Sequence, residues 1–257
     1  MELGNMTTTR NRRWIGGLVA AVAISLGCGT ARANFINGGF ETGDFTGWQT
    51  IGGPNTVVSS PPFAIPATEG TRAAVISNNA GVPVAQLEAF LGVPVGALST
   101  LMNGVVRNGS AIRQAVSLNA GNVVTFQANF LTNEFPTPGT PFNDFAFLSQ
   151  VGGGSLQLQT LGNVTSQPLV PAPPLTTAAG ITYVRQTGYR TFSFTAPMAG
   201  QYTVGFGAVN VSDPIAPSAL LLDNVTVVPE PSSLVLLGTG VVGLVGCGWV
   251  RRRRATA

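Results

Sequence analysis

The sequence predicts an all-β domain, a jelly-roll-like β-sandwich with one short helical insertion, flanked by an N-terminal signal helix and a C-terminal transmembrane helix. Between residues 34 and 228, short segments of alternating β-branched or aromatic residues recur between clusters of Gly, Pro, Asn and Ser. This stretch of about 195 residues is long enough for one domain with a sizeable core. An apolar segment near each end of the chain predicts the two flanking helices.

Eight segments have the composition of strands. They are 73–77, 112–118, 123–130, 144–149, 155–159, 189–195, 201–208 and 219–228. Two proline-rich stretches, 136–141 and 168–174, are predicted to be surface loops, because proline lacks the amide donor that a central strand needs.

One segment has helical periodicity. Val84, Leu87 and Leu91 recur at the spacing of one helix face, and Pro94 ends the run. We predict a short helix over 84–91, followed by a second helical turn at 95–101.

The charge of the domain differs from that of the chain. Residues 34–228 hold five arginines and eight acidic residues, a formal net charge of −3, and the other eight arginines lie in the terminal segments. Nucleic acid is therefore not an expected partner.

Residue types missing from the domain exclude several chemistries. The chain has no histidine, which excludes Ser-His-Asp triads, Cys-His pairs and His-ligated zinc. Its two cysteines, Cys28 and Cys247, lie in the terminal segments, so the domain needs no disulfide. We assign no catalytic residue and expect no required cofactor.

The N-terminus has the three parts of a signal peptide. Arg10, Arg12 and Arg13 precede the apolar stretch 14–27, and a small-x-small pattern ends at Ala33. We predict a signal peptide over 1–33 that is cleaved between Ala33 and Asn34.

Two other signals compete with this interpretation. Arg12 and Arg13 fit a twin-arginine signal with poor flanking residues, and Cys28 fits a lipoprotein site that lacks the usual large aliphatic residue. A general secretory signal is favoured, which makes the secretory translocon and signal peptidase the predicted partners.

The C-terminus combines a proline motif, an apolar run and a basic tail. The motif is Val228, Pro229, Glu230 and Pro231, and residues 229–233 comprise its Pro-Glu-Pro part and the linker to the apolar run 234–250. As a helix this run would measure roughly 25 Å, close to the roughly 30 Å of a bilayer core. The tail 251–257 begins with Arg251, Arg252, Arg253 and Arg254, which hold that end on the cytoplasmic side.

This ordered trio resembles the PEP-CTERM sorting signal of exopolysaccharide-producing Gram-negative bacteria, over about residues 228–254. The resemblance implies that an exosortase cuts near Pro-Glu-Pro and releases the upstream domain. The protein would then be anchored transiently in the inner membrane with its domain in the periplasm, and would later reach the cell surface or the extracellular matrix. The alternative is an ordinary single-span anchor that is never cut.

The ends of the domain resemble the first and last strands of carbohydrate-binding-module-like, or galactose-binding-like, jelly rolls. The resemblance is carried by 37–48 and 221–227. It implies that the terminal strands lie side by side and that Glu41 and Asp223 share a structural calcium ion, with Asp44 as a weaker candidate. In the alternative, both carboxylates are solvated or hydrogen-bonded to backbone, and the aromatic residues beside them, including Trp48, belong to the core.

A second acidic pair, Glu134 and Asp144, flanks a proline-rich loop. Two strands joined by this loop would place the pair at the mouth of a hairpin, as a metal- or ligand-binding edge. The alternative is a polar loop whose groups are all hydrogen-bonded. Paired carboxylates also serve glycosidases, but no aromatic platform or supporting arginine is evident nearby in the sequence.

Three functions follow from these features. The favoured one is a non-enzymatic surface or matrix protein that associates with exopolysaccharide or the biofilm matrix. A carbohydrate-binding module with a defined sugar site is the second, and exposed aromatic residues on one sheet face would favour it. A glycoside hydrolase using Glu134 and Asp144 is the third.

Overall fold

The computed structural model describes residues 34–60, 64–136, 139, 141–166, 169–177, 180–229 and 240. In chain order, the elements of these residues are β1 (Gln49–Ile51), β2 (Asn55–Ser59), β3 (Arg72–Ser77), β4 (Val82–Pro83), α1 (Val84–Leu91), α2 (Ala97–Leu101), β5 (Val106–Leu118), β6 (Val123–Thr132), β7 (Phe145–Gly152), β8 (Ser155–Asn163), β9 (Val170–Thr176), β10 (Thr182–Gln186), β11 (Arg190–Thr195), β12 (Gly200–Val211) and β13 (Ser218–Val228).

The strands form two antiparallel sheets. Sheet A has the order β1-β5-β12-β7-β8, with β4 beside β1 on the same edge of β5. Sheet B has the order β2-β3-β13-β6-β10-β9, with β11 following β10 along the same edge of β6. The predicted all-β sandwich is confirmed.

The main core lies between the sheets. Ile112 and Phe206 of sheet A face Phe126 and Leu220 of sheet B, and all four are buried. The rings of Phe126 and Phe206 meet edge to face with centroids 4.8 Å apart, a favourable geometry for aromatic pairs. Trp48 joins this core and is 6% exposed, which confirms its prediction as a core residue.

The helices cover part of the outer face of sheet A. Leu87 and Leu91 of α1 pack with Ala111 and Phe147 of the sheet. Helix α1 spans the residues that the periodicity predicted, and it ends at Gly92, whose φ of 73° is the left-handed conformation common at helix ends. The Glu88 carboxylate accepts hydrogen bonds from the N–H groups of Gly96 and Leu98 and so caps the start of α2.

The proline-rich stretch 168–174 was predicted as a loop, and this prediction is wrong. Residues 170–176 form β9, which among the described strands pairs only with β10 and so lies at the edge of sheet B. An edge strand has one side without ladder partners, so it tolerates residues that lack an N–H group. Short strands β1, β2, β4 and β10 were also not predicted.

The expected pairing of the terminal strands is wrong as well. Residues 37–48 form successive turns, and the first strand, β1, pairs with β5 in sheet A. The last strand, β13, lies in sheet B between β3 and β6. The opening segment nevertheless contacts β13, because the N–H of Val225 donates to the carbonyl of Gly38 at 3.0 Å.

Candidate functional site

Asp223 lies in β13, fully buried, and binds the loop that precedes β3. Its Oδ2 accepts hydrogen bonds from the N–H of Thr68 at 2.6 Å, from the hydroxyl of Thr68 at 2.8 Å and from the N–H of Glu69 at 3.0 Å. Its Oδ1 accepts the N–H of Asn224 at 2.7 Å. Burial raises the pKa of Asp223, while these hydrogen bonds act to lower it.

Glu41 binds the same loop from the solvent side. Its Oε1 accepts the N–H groups of Thr71 at 2.9 Å and Arg72 at 2.8 Å, and its Oε2 accepts the Thr71 hydroxyl at 3.3 Å. The two carboxylates therefore hold residues 68–72 between the opening segment and the last strand. The arrangement matches the alternative prediction, in which Glu41 and Asp223 are hydrogen-bonded to backbone groups.

The predicted calcium ion does not fit this arrangement. Calcium requires about six to eight oxygen ligands, but the groups around both carboxylates are N–H and O–H donors, and Asp223 Oδ2 already accepts three of them. Asp44 accepts hydrogen bonds within its own turn, from Thr42 and Thr46. In the described part of the chain, no three acidic or cysteine side chains are grouped to hold a metal ion. Calcium binding stays a prediction, and a thermal melt with and without a chelator tests it.

Glu134 and Asp144 lie together, but not at the mouth of a hairpin. Strand β6 ends at Thr132 in sheet B, and β7 begins at Phe145 in sheet A, so the loop between them crosses from one sheet to the other. The crossing brings the pair into contact: the N–H of Asp144 donates to Glu134 Oε2 at 3.2 Å.

Asp144 is the centre of a buried polar cluster. Its Oδ2 accepts hydrogen bonds from Asn78 Nδ2 and from the Ser218 hydroxyl, both at 2.9 Å, and its Oδ1 accepts the N–H of Val211 at 2.8 Å. Burial, and then the neighbouring Glu134, raise the pKa of Asp144 to about 7. Burial also raises the pKa of Glu134. The cluster joins segments of both sheets at one end of the sandwich.

This burial bears on the predicted ligand edge. Asp144 is 1% exposed and Glu134 is 8% exposed. A glycosidase needs both carboxyl groups to reach the sugar, and these two are turned into the protein. The geometry favours the alternative of a satisfied polar loop, and a ligand edge at this pair stays a prediction.

A groove that was not predicted lies on the outer face of sheet A, beside α1. It measures about 470 Å³ and is lined by residues that include Gln49, Arg113, Ala115 and Thr203. Arg113 is fixed in it, because its Nε donates to Gln49 Oε1 at 2.8 Å and its guanidinium lies 4.4 Å from the ring centre of Phe90. A single arginine in a strand pattern carries no signal from which this groove could be predicted.

Exposed aromatic side chains are scarce. Within the described residues, Phe135 is the only aromatic side chain that is mostly exposed, at 64%, and it lies on a loop against Arg185. The groove on sheet A thus lacks the aromatic platform that would favour a sugar-binding module.

The domain ends where the proline motif begins. Val228 is the last residue of β13 and pairs with Val123 of β6, and Pro229 follows it in an exposed position. Glu230, Pro231, Arg251 to Arg254 and Ala33 lie outside the described residues, whereas Asn34 is described and exposed. No helix among the described residues is long and apolar enough to cross a membrane, and of the predicted span 234–250 only residue 240 is described.

Residues 227–254 match the family model of the PEP-CTERM protein-sorting motif. The chain carries a PEP-CTERM sorting signal. The PEP-CTERM motif implies export, a membrane-anchored C-terminal sorting signal and processing by an exosortase. The predicted signal peptide and transmembrane helix remain predictions.

Solved structures similar to this PEP-CTERM chain include carbohydrate-binding domains and an adhesin domain. The carbohydrate-binding module TmCBM61, in complex with β-1,4-galactotriose, has a TM-score of 0.43 and 15% identity, and the match covers 77% of this chain and 99% of that one. The K3 cleaved adhesin domain of Lys-gingipain from Porphyromonas gingivalis has a TM-score of 0.39 and 15% identity, over 77% and 100% of the two chains. A xylan-binding domain of carbohydrate-binding module family 22 has a TM-score of 0.30 and 14% identity, over 77% and 95%. No curated protein matches the chain in sequence.

Proposed function

We propose that the chain is an exported, non-enzymatic surface or matrix protein whose β-sandwich is released by an exosortase and then associates with exopolysaccharide. The observation that carries the proposal is the position of the sorting motif. The motif match begins at residue 227, and the last strand ends at Val228. A cut near Pro-Glu-Pro would leave every described strand in the released product, so the sandwich would leave the membrane intact.

The burial of the acidic pair supports a non-enzymatic role. Asp144 and Glu134 accept hydrogen bonds from the protein itself and have little exposed surface. The chain also has no histidine for acid–base work near neutral pH. These residues hold two sheets together rather than face a substrate.

The polar surface of the domain supports a matrix role. Charged residues are few, and the edge strand β8 exposes Gln157 and Gln159 to solvent. Amide and hydroxyl groups can hydrogen-bond to the hydroxyls of a polysaccharide without a charged partner.

Mass spectrometry of the exported protein tests the processing step. We expect a product that ends near Pro229 to Pro231 and lacks residues 234–254. A double variant, Pro229→Ala with Pro231→Ala, should retain the C-terminal segment in the membrane fraction. Pro214→Ala, an exposed proline in the loop before β13, is the matched control and should be processed normally. An exported product that retains 234–254 would overturn exosortase release.

The matrix role is tested in cells whose exopolysaccharide synthesis can be switched off. With synthesis on, the processed domain should sediment with the matrix. With synthesis off, it should appear in the culture medium with the same C-terminus. Equal retention in both states contradicts the association with exopolysaccharide but leaves the processing result intact.

The groove on sheet A supports the second candidate, a module with a defined sugar site. Ala115 lines the groove, and Ser117 is exposed on the same face of β5 outside the groove lining. If oligosaccharides from the matrix bind in the groove, Ala115→Trp should abolish the binding heat measured by titration calorimetry, and Ser117→Trp should not. If both variants keep the binding heat, the groove is not the sugar site.

A further inference from the structure

Three loops meet at the end of the sandwich where β13 finishes; we call these loops, with Val228, the anchor tip. They are residues 119–122, 153–154 and 196–199. The N–H of Gly121 donates to the carbonyl of Ala196, and the N–H of Ala196 donates to the carbonyl of Asn122. The hydroxyl of Tyr202, adjacent to Gly153, donates to the carbonyl of Met198 at 2.7 Å. The anchor tip is therefore one connected surface.

The anchor tip carries no charged side chain among its described residues. Along β5, β11 and β13, the charged residues closest to the tip are Arg113, Arg190 and Asp223, each five residues from the strand end. Five residues of strand span about 17 Å. Glu41, Glu69 and Arg72 lie at the side of this end of sheet B, where β2 ends and β3 begins, and outside the three loops of the tip. Met198 is exposed by 53% at the centre of the tip.

The opposite end of the sandwich, which we call the far end, has a different character. Its loops carry Asp213 and Ile215, which is 82% exposed, at the surface, and Glu134 and Asp144 are buried beneath them. Strand β13 runs from the far end at Ser218 to the anchor tip at Val228, a length of about 33 Å.

The chain between the tip and the predicted span is short. Residues 229–233 can extend over no more than about 18 Å. The headgroup layer takes up roughly 5–8 Å of that distance, since a bilayer adds this much to each side of its hydrocarbon core. The anchor tip is thus held within about one Debye length of the lipid surface, where an acidic tip would be repelled by anionic lipids.

We propose that, in the anchored chain, the anchor tip rests on the lipid headgroups of the membrane, with Met198 at the contact, while the far end points away from it. The inference rests on the proposed membrane anchor and adds the orientation of the domain. An uncharged surface meets the headgroups without the cost of desolvating ions, and the far end is left free to meet matrix components before release.

Fluorescence quenching in vesicles tests this orientation. The chain that signal cleavage would leave, residues 34–257 with Cys247→Ser, is reconstituted in vesicles of phosphatidylethanolamine and phosphatidylglycerol that contain a headgroup-attached spin-label quencher. A fluorophore is attached through Met198→Cys in one sample and through Ile215→Cys, the matched exposed position at the far end, in the other. We expect the label at 198 to lose most of its fluorescence and the label at 215 to lose none.

Flotation of the same samples separates the two ways in which the inference can fail. A chain that floats with the vesicles but is quenched equally at both positions, or more strongly at 215, overturns the orientation and leaves the anchor standing. A chain that does not float with the vesicles overturns the anchor and the orientation together. Since no exosortase is present, quenching at 198 in a floating chain is due to lipid alone.

Discussion

The protonation of Asp144 is coupled to the stability of the fold. Burial and Glu134 raise its pKa from 3.8 to about 7, so the folded domain binds its proton more tightly than the unfolded chain does. The stabilisation is complete below the pKa of Asp144 in the unfolded chain. It is lost as the pH rises through the pKa of Asp144 in the folded domain. The domain should therefore lose a few kcal/mol of stability between about pH 4 and pH 8 from this group.

Chemical denaturation across this pH range measures the effect. Wild type should show falling stability as pH rises, and Asp144→Asn, which cannot titrate there, should show a flatter profile. The raised pKa values of Glu134 and Asp223 contribute slopes of the same sign in both proteins. Identical slopes in wild type and Asp144→Asn would contradict the assignment.

A second prediction concerns the contribution of the Asp223 side chain to stability. Asp223→Ala removes the acceptor for four donors and leaves the N–H groups of Thr68 and Glu69 without their partner. We expect a loss of roughly 2–4 kcal/mol in the free energy of unfolding. Asp44→Ala, which removes an exposed carboxylate that also accepts backbone and hydroxyl groups, is the control and should change stability little. Equal effects of the two substitutions would refute the role given to Asp223.

Among the elements, helix α1 was predictable and strand β9 was not. Helix α1 follows from local spacing, with Leu87 and Leu91 on one face and Gly92 at its end. Strand β9 contains Pro171, and its existence depends on β10 being available at the edge of sheet B. Local composition cannot show which strands of a sheet lie at its edge.

Strand β12 provides a prediction for close packing between elements. A Cβ atom at Gly207 would lie 2.4 Å from the carbonyl oxygen of Ser110 and 2.7 Å from the ring of Phe147. At Gly200, in the same strand, the first neighbour is Gly153 Cα at 3.8 Å, which is ordinary contact. Gly207→Ala should therefore destabilise the domain by about 1–3 kcal/mol, and Gly200→Ala should leave the thermal midpoint almost unchanged. A larger shift for Gly200→Ala than for Gly207→Ala would show that the packing of β12 is not as described.

In the molecule as a whole, folding of the sandwich depends on β13, the strand that leads into the sorting motif. It pairs with β3 on one side and with β6 on the other, in the middle of sheet B. A chain that ends at Pro229 should fold and melt like the processed product. A chain that ends at Leu222 loses the strand pairing with Val123, Val124 and Thr125 and the hydrogen bonds of Asp223. This chain should not fold cooperatively. Circular dichroism melts of the two chains compare them, and cooperative melting of the shorter chain would contradict this dependence.

The sequence alone determined the features that depend on residues close together in the chain. The sorting motif, the periodicity of α1, the alternation of the long strands and the core position of Trp48 all depend on local patterns of polarity and spacing. The contact of Glu134 with Asp144 between two sheets, the edge position of β9 and the groove around Arg113 were decided only by the tertiary structure. Each of these depends on strand pairing between segments that are distant in sequence, and no local pattern records which strands become neighbours.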